Sequence, residues 1–164
     1  MKTLPCNSRF GMAPLAGAVL LLWGLSPLSA EPLAAGTCVA TATKYKVSAL
    51  LHQTNSTTFV EVAETTIAFT QGGSSKSCVI VSFSAQATAE QNTVMYVRAR
   101  LDGNTDCLPN DNLFVGPSPT ADHAMNYVCP NVAPGNHSIK IQFRSNSGPT
   151  VHMNRRTTLV HYVK

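Results

Sequence analysis

Three segments of this chain alternate between apolar and polar residues with a period of two, the period of a strand with one buried and one wet face. In Val79-Ile80-Val81-Ser82-Phe83-Ser84-Ala85, Val79, Val81, Phe83 and Ala85 share one face. Met95 to Leu101 sends Tyr96, Arg98 and Arg100 to the face opposite Val97 and Ala99. Ile139 to Arg144 points Ile139, Ile141 and Phe143 inward and Lys140, Gln142 and Arg144 outward. Strands of this kind build antiparallel sheets, which bury one side and wet the other.

Turn chemistry separates the runs. Asn55-Ser56-Thr57, Gly72-Gly73-Ser74-Ser75, Asp102-Gly103, Pro134-Gly135 and Ser145-Asn146-Ser147-Gly148-Pro149 all punctuate the pattern. Asp102-Gly103 suits the positive φ angles of a tight hairpin. The longest irregular piece is Asn104–Ala121, with a short strand expected near Leu113–Val115. No segment has a helical apolar face. About eight strands without helices predict an all-β fold, an antiparallel β-sandwich of jelly-roll type.

The N-terminus reads as an export signal. Lys2 and Arg9 precede the apolar run Ala13–Leu25, and Ser26, Pro27, Ser29 and Ala30 follow it. A charged start, a short apolar run and small residues make a secretory signal peptide. Residues 1–30 are therefore expected to be removed. Residues 31–37 form a short leader, and residues 38–164 form a single sandwich domain. Cleavage after Ala30 leaves Glu31 first, and cleavage at Ala34-Ala35-Gly36 leaves Thr37 first. The expected location is secreted, periplasmic or extracellular.

Removing the signal takes Cys6 and leaves Cys38, Cys78, Cys107 and Cys129. An even count in an exported chain predicts two disulfides. Three pairings are open, and the sequential one, Cys38–Cys78 with Cys107–Cys129, is favoured. No two of these cysteines are closer than 22 residues, which does not fit the close pairs of a zinc site. Ten basic and eight acidic residues remain, a net charge of +2. Such a charge, with aromatics not interleaved among the basic residues, argues against nucleic acid.

Pro134-Gly135-Asn136-His137-Ser138-Ile139-Lys140-Ile141-Gln142-Phe143-Arg144-Ser145 leads on to Arg156-Thr157-Thr158-Leu159-Val160. With Cys78–Ala85 and Val97–Gly103, this pattern resembles a group of small secreted bacterial β-sandwich proteins. The resemblance covers roughly residues 45–162 and implies the fold and export. It implies no catalytic residues.

Chemical motifs are sparse. His52, His123, His137, His152 and His161 form no H-x-H, and G-x-S-x-G is absent. His152 and His161 have opposite parity in an unbroken strand, so they are expected on opposite faces. Ser118, Asp122 and His123 are the components of a paper triad. Asp102, Asn104 and Asp106 have hard oxygen ligands at D-x-N-x-D spacing, a candidate calcium loop. The EF-hand pattern fails there, because no Gly follows Asp106. Asp and Asn also simply favour turns.

Arg98, Arg100, Lys140 and Arg144, with Tyr96, line one wet face if their strands are neighbours. Arg155 and Arg156 join that list of basic residues. The expected function is an exported, non-catalytic domain that binds a glycan, an envelope component or a protein partner. The alternative is a small secreted hydrolase with a site dispersed over loops. No cofactor is expected beyond the calcium candidate.

Overall fold

The computed structural model describes residues 37–90 and 92–164. The expected signal peptide, and the leader apart from Thr37, lie outside the described residues. The strands are β1 (Ala42–Ser48), β2 (His52–Thr54), β3 (Val60–Glu61), β4 (Ile67–Gln71), β5 (Ser77–Ala89) and β6 (Met95–Leu101). They continue with β7 (Thr105–Asp106), β8 (Asn112–Val115), β9 (Ser118–Val132), β10 (Gly135–Ser145) and β11 (Val151–Tyr162). Helix is absent among the described residues.

Three strand pairs are single strands interrupted by a break. β1 and β2 both lie beside β11, β3 and β4 beside β10, and β7 and β8 beside β6. Merging each pair gives eight strands, four in each of two antiparallel sheets. Numbered in chain order, the first sheet runs 1-8-3-6 and the second 2-7-4-5. This order is a jelly roll, the doubled Greek key.

The break between β3 and β4 shows how an interrupted ladder stays satisfied. The buried Thr65 hydroxyl donates to the Val62 carbonyl at 2.7 Å and accepts from the Ile141 amide at 3.3 Å. It stands in for the strand partner that Ile141 lacks at that point, since an unpaired buried amide is costly.

The inner faces of the two sheets form one core. β5 contributes Val79, Val81, Phe83, Ala85, Ala87 and Ala89. Met95, Val97 and Ala99 of β6 and Ile139, Ile141 and Phe143 of β10 face them from the second sheet. The alternation legible in the sequence is therefore the inside and outside of the sandwich.

Two disulfides are formed, Cys38–Cys78 and Cys107–Cys129, with Cα separations of 5.4 and 4.3 Å. Cys107 and Cys129 are buried. Beside them Leu108 and Val128 exchange two backbone hydrogen bonds of 2.7 Å, tying the segment before β8 to β9 of the other sheet. The two bridges are consistent with an oxidising compartment.

β11 carries a bulge between Asn154 and Thr157, with Arg155 at φ 44°. The extra residue shifts the parity of the strand, with two consequences. His152 and His161 lie on the same outer face, not on opposite ones. Arg156 turns inward and is only 1% exposed, so it does not belong to a wet basic face. Its guanidinium donates to the carbonyls of Leu50 (2.6 Å), Met153 (3.3 Å) and Ala63 (3.4 Å) and to Ser48 Oγ (3.2 Å). Burial pulls the Arg156 pKa down and Glu64 offsets part of this.

Candidate functional site

The outer face of the second sheet gathers the residues expected to bind. Antiparallel register sets Lys140 opposite Arg100, Gln142 opposite Arg98 and Arg144 opposite Tyr96. Glu61 of β3 flanks Gln142 on one side, and Asp106 of β7 and Leu113 of β8 flank Arg100 and Tyr96 on the other. All five expected residues, Tyr96, Arg98, Arg100, Lys140 and Arg144, therefore share one surface. The period of two aimed them outward, and the jelly-roll order made β6 and β10 neighbours.

The cations on this face already have partners. Arg98 Nη1 lies 3.4 Å from Asp106 Oδ2, and Arg100 Nε lies 2.9 Å from Asp106 Oδ1. The second contact is a close ion pair whose N–H is not aligned as a hydrogen bond. Lys140 meets Glu61 at 2.9 Å, and Arg144 Nη2 meets both oxygens of Asp111 at 3.1 Å. Arg98 Nε also donates to Gln142 Oε1 at 2.9 Å. Four cations thus meet three carboxylates, leaving one positive charge in excess. The Thr66 hydroxyl and the Lys140 ammonium hold the Glu61 carboxyl below its ordinary pKa against the effect of burial. Burial pulls Arg98 below its ordinary value, and Asp106 offsets part of that.

Aromatic rings order the guanidinium groups. Arg98 sits 4.0 Å from the centroid of Phe59, and Arg144 sits 4.3 Å from Tyr96 and 5.2 Å from Phe59. Cation–π contact of this kind fixes a long side chain that is otherwise mobile. The four basic side chains are 19% to 34% exposed. The result is a shallow, preorganised array with guanidinium edges, an amide, three carboxylates and apolar ring faces, and exposed Leu113 at its margin.

The calcium candidates each contact groups of the protein. Asp102 Oδ2 contacts His137 Nδ1 at 2.7 Å, and its Oδ1 accepts from the Ser138 amide at 2.8 Å. Asp106 is turned to Arg98 and Arg100. Asn104 offers its carbonyl to Arg100 and its side-chain oxygen to the Thr105 hydroxyl. All three residues thus have partners within the protein, and Asn104 and Asp106 share Arg100. The paper triad comes apart. Asp122 and His123 are consecutive on β9, so they point to opposite sides. His123 packs against Phe114 with ring centroids 5.6 Å apart.

Sequence reasoning missed Phe59, Gln142, Asp106, Asp111 and Glu61 as members of the basic face. Gln142 was detectable as an outward residue flanked by Lys140 and Arg144. Phe59 precedes β3 outside any periodic run and gave no signal.

No family model matches the chain, and no curated protein matches it. Among solved structures it is similar to the infectious bursal disease virus VP2 subviral particle, at 11% identity and a TM-score of 0.51. That alignment covers 82% of this chain and 36% of the viral one, so this chain spans about a third of its length. T=1 particles derived from the same virus align at 14% identity and a TM-score of 0.49, over 97% of this chain and 39% of that one. The EclA C-terminal domain, a sugar-binding protein, aligns at 8% identity and a TM-score of 0.40, over 84% and 89%. Only the first of these three passes 0.5. At 11% identity it speaks for the fold alone, and it agrees with the jelly-roll strand order.

Proposed function

We propose that the chain is an exported, non-catalytic β-sandwich domain that binds a glycan, an envelope component or a protein partner through the outer face of its second sheet. One observation carries this reading. Tyr96, Arg98, Arg100, Lys140 and Arg144 converge on one surface, where Phe59 and Tyr96 hold two guanidinium groups in place. Ordered arginines and aromatic rings are the residue types enriched where proteins recognise partners. The ion pairs within the array match a polar or weakly acidic partner better than a dense polyanion, which would have to displace Asp106, Asp111 and Glu61. The two disulfides, the export signal and the resemblance to small secreted bacterial sandwiches support action outside the cytoplasm.

The test is to incubate the exported protein with a glycan array and with envelope fractions, beside a panel of hydrolase substrates. Saturable retention without turnover is expected. Reproducible turnover, abolished by changing one ionisable residue without unfolding the protein, would overturn the proposal.

A further inference from the structure

The opposite side of the sandwich carries a small open pocket. On the outer face of the first sheet, a pocket of about 230 Å³ is lined by Leu51, Gln86, Thr88, Thr120, His152, Met153 and Asn154. We infer that this pocket binds one ring of a neutral saccharide. It lies apart from the basic face and stands whether or not that face binds anything.

The β11 bulge is what breaks the flatness of the sheet here. Gln86 pairs with Asn154 and Thr88 with His152, and the ladder skips immediately after Asn154. Bulges re-aim side chains and bend the strand. This one sends Arg156 inward, where its bond to the Leu50 carbonyl holds the connection between β1 and β2. That connection carries Leu51, which is 63% exposed and forms one wall. The buried arginine thus positions the pocket rim from beneath.

The lining selects the ligand. It offers two amides, two hydroxyls and an imidazole, and no Lys, Arg, Asp or Glu lines it. Amides both donate and accept, as sugar hydroxyls do. Thr88 Oγ1 donates to the Ser118 carbonyl at 2.9 Å, leaving its lone pairs to accept from a ligand. Asn154 Oδ1 is shut off from solvent without a hydrogen-bond partner. Rotation of the amide toward a hydroxyl in the pocket relieves that state. Leu51 supplies an apolar wall for the C–H face of a sugar ring. The volume lies below the roughly 300–1,000 Å³ of ordinary ligand sites, so it admits at most one ring and no chain segment. Glu90 Oε1 comes within 3.9 Å of His152 Nε2, and Asp122 pairs directly with Gln86, so two carboxylates border the pocket and disfavour an anionic ligand.

The experiment is a residue-resolved NMR titration of the disulfide-intact exported protein. The probes are methyl glycosides of glucose, galactose, mannose and N-acetylglucosamine, with glucuronate as the charged comparator. Saturable shifts at Gln86, Thr88 and Asn154 are expected with at least one neutral glycoside at up to about 100 mM. The single variants Q86A and T120A change partly or fully exposed side chains and are expected to weaken that binding by about tenfold each while remaining folded. Three results would each overturn the inference: no saturable shift there with any neutral glycoside, shifts that Q86A and T120A leave unchanged, or a preference for glucuronate. Because shifts are read residue by residue, binding at the second sheet is distinguished from binding here.

Discussion

Asp102 Oδ2 lies 2.7 Å from His137 Nδ1, and Nε2 of the same ring lies 2.8 Å from the Ala133 carbonyl. Both partners are acceptors, so the ring donates from both nitrogens, which only the imidazolium can do. The ring clasps the hairpin turn after β6 to the turn before β10 and packs against Phe69 at 5.7 Å.

Burial opposes that charge, but the Asp102 carboxylate and the Ala133 carbonyl outweigh it and raise the His137 pKa. The folded value therefore lies above the unfolded value of about 6.5. The stabilisation is complete below the unfolded value and is lost as pH rises through the folded one. Urea midpoints measured between about pH 6 and about pH 9 are expected to fall, and H137N is expected to flatten that slope. A wild-type slope unchanged in H137N contradicts the clasp. Asp102 is 41% exposed, so its removal is expected to cost no more than about 1 kcal/mol.

The buried disulfide is expected to matter more than the superficial one. Cys107–Cys129 spans 22 residues and joins the two sheets, and its loss as a Cys-to-Ala pair is expected to cost about 3–4 kcal/mol. Cys38–Cys78 spans 40 residues but tethers only the N-terminal segment, so its loss is expected to fray the chain before Ala42. Chemical denaturation and proteolysis of the two variants give the comparison. A larger loss for the Cys38–Cys78 pair speaks against this ranking.

Arg156 is a structural cation. R156A leaves several acceptors without their donor and opens a cavity, with an expected cost of about 3 kcal/mol by urea unfolding. R155A, at the exposed neighbour, is expected to stay within about 0.5 kcal/mol of wild type. Equal effects at the two positions contradict the inward placement of Arg156.

The central strands were legible because burial alternates along them without interruption. β5, β6 and β10 pack one face on the core, so Val79, Val97 and Ile141 show their direction in the sequence alone. β9 was not legible over its first part. It is an edge strand whose residues from Ser118 to Asp122 are exposed, and Pro119 lies within it, so that stretch reads as irregular chain. The bulge at Arg155 was equally silent. One residue at positive φ reverses the parity of everything after it, which moved Arg156 inside and His161 to the face of His152. The basic face was half legible. Periodicity aimed its cations outward, but their carboxylate partners come from Glu61, Asp106 and Asp111, on other segments. One of those, Asp106, also belongs to the D-x-N-x-D stretch whose oxygens suggested calcium.

Two guanidinium groups carry the proposed binding face, so the most direct measurement is retention on envelope fractions and a glycan array by R98A/R144A beside wild type. The two side chains are only 19% and 21% exposed, so truncating them removes packing as well as ion pairs, and folding of the double variant is checked by circular dichroism before retention is compared. Retention is expected to fall by about tenfold or more, the loss of two ordered anchors. Equal retention of the two proteins, with the variant's fold intact by circular dichroism, would contradict the assignment of binding to this face.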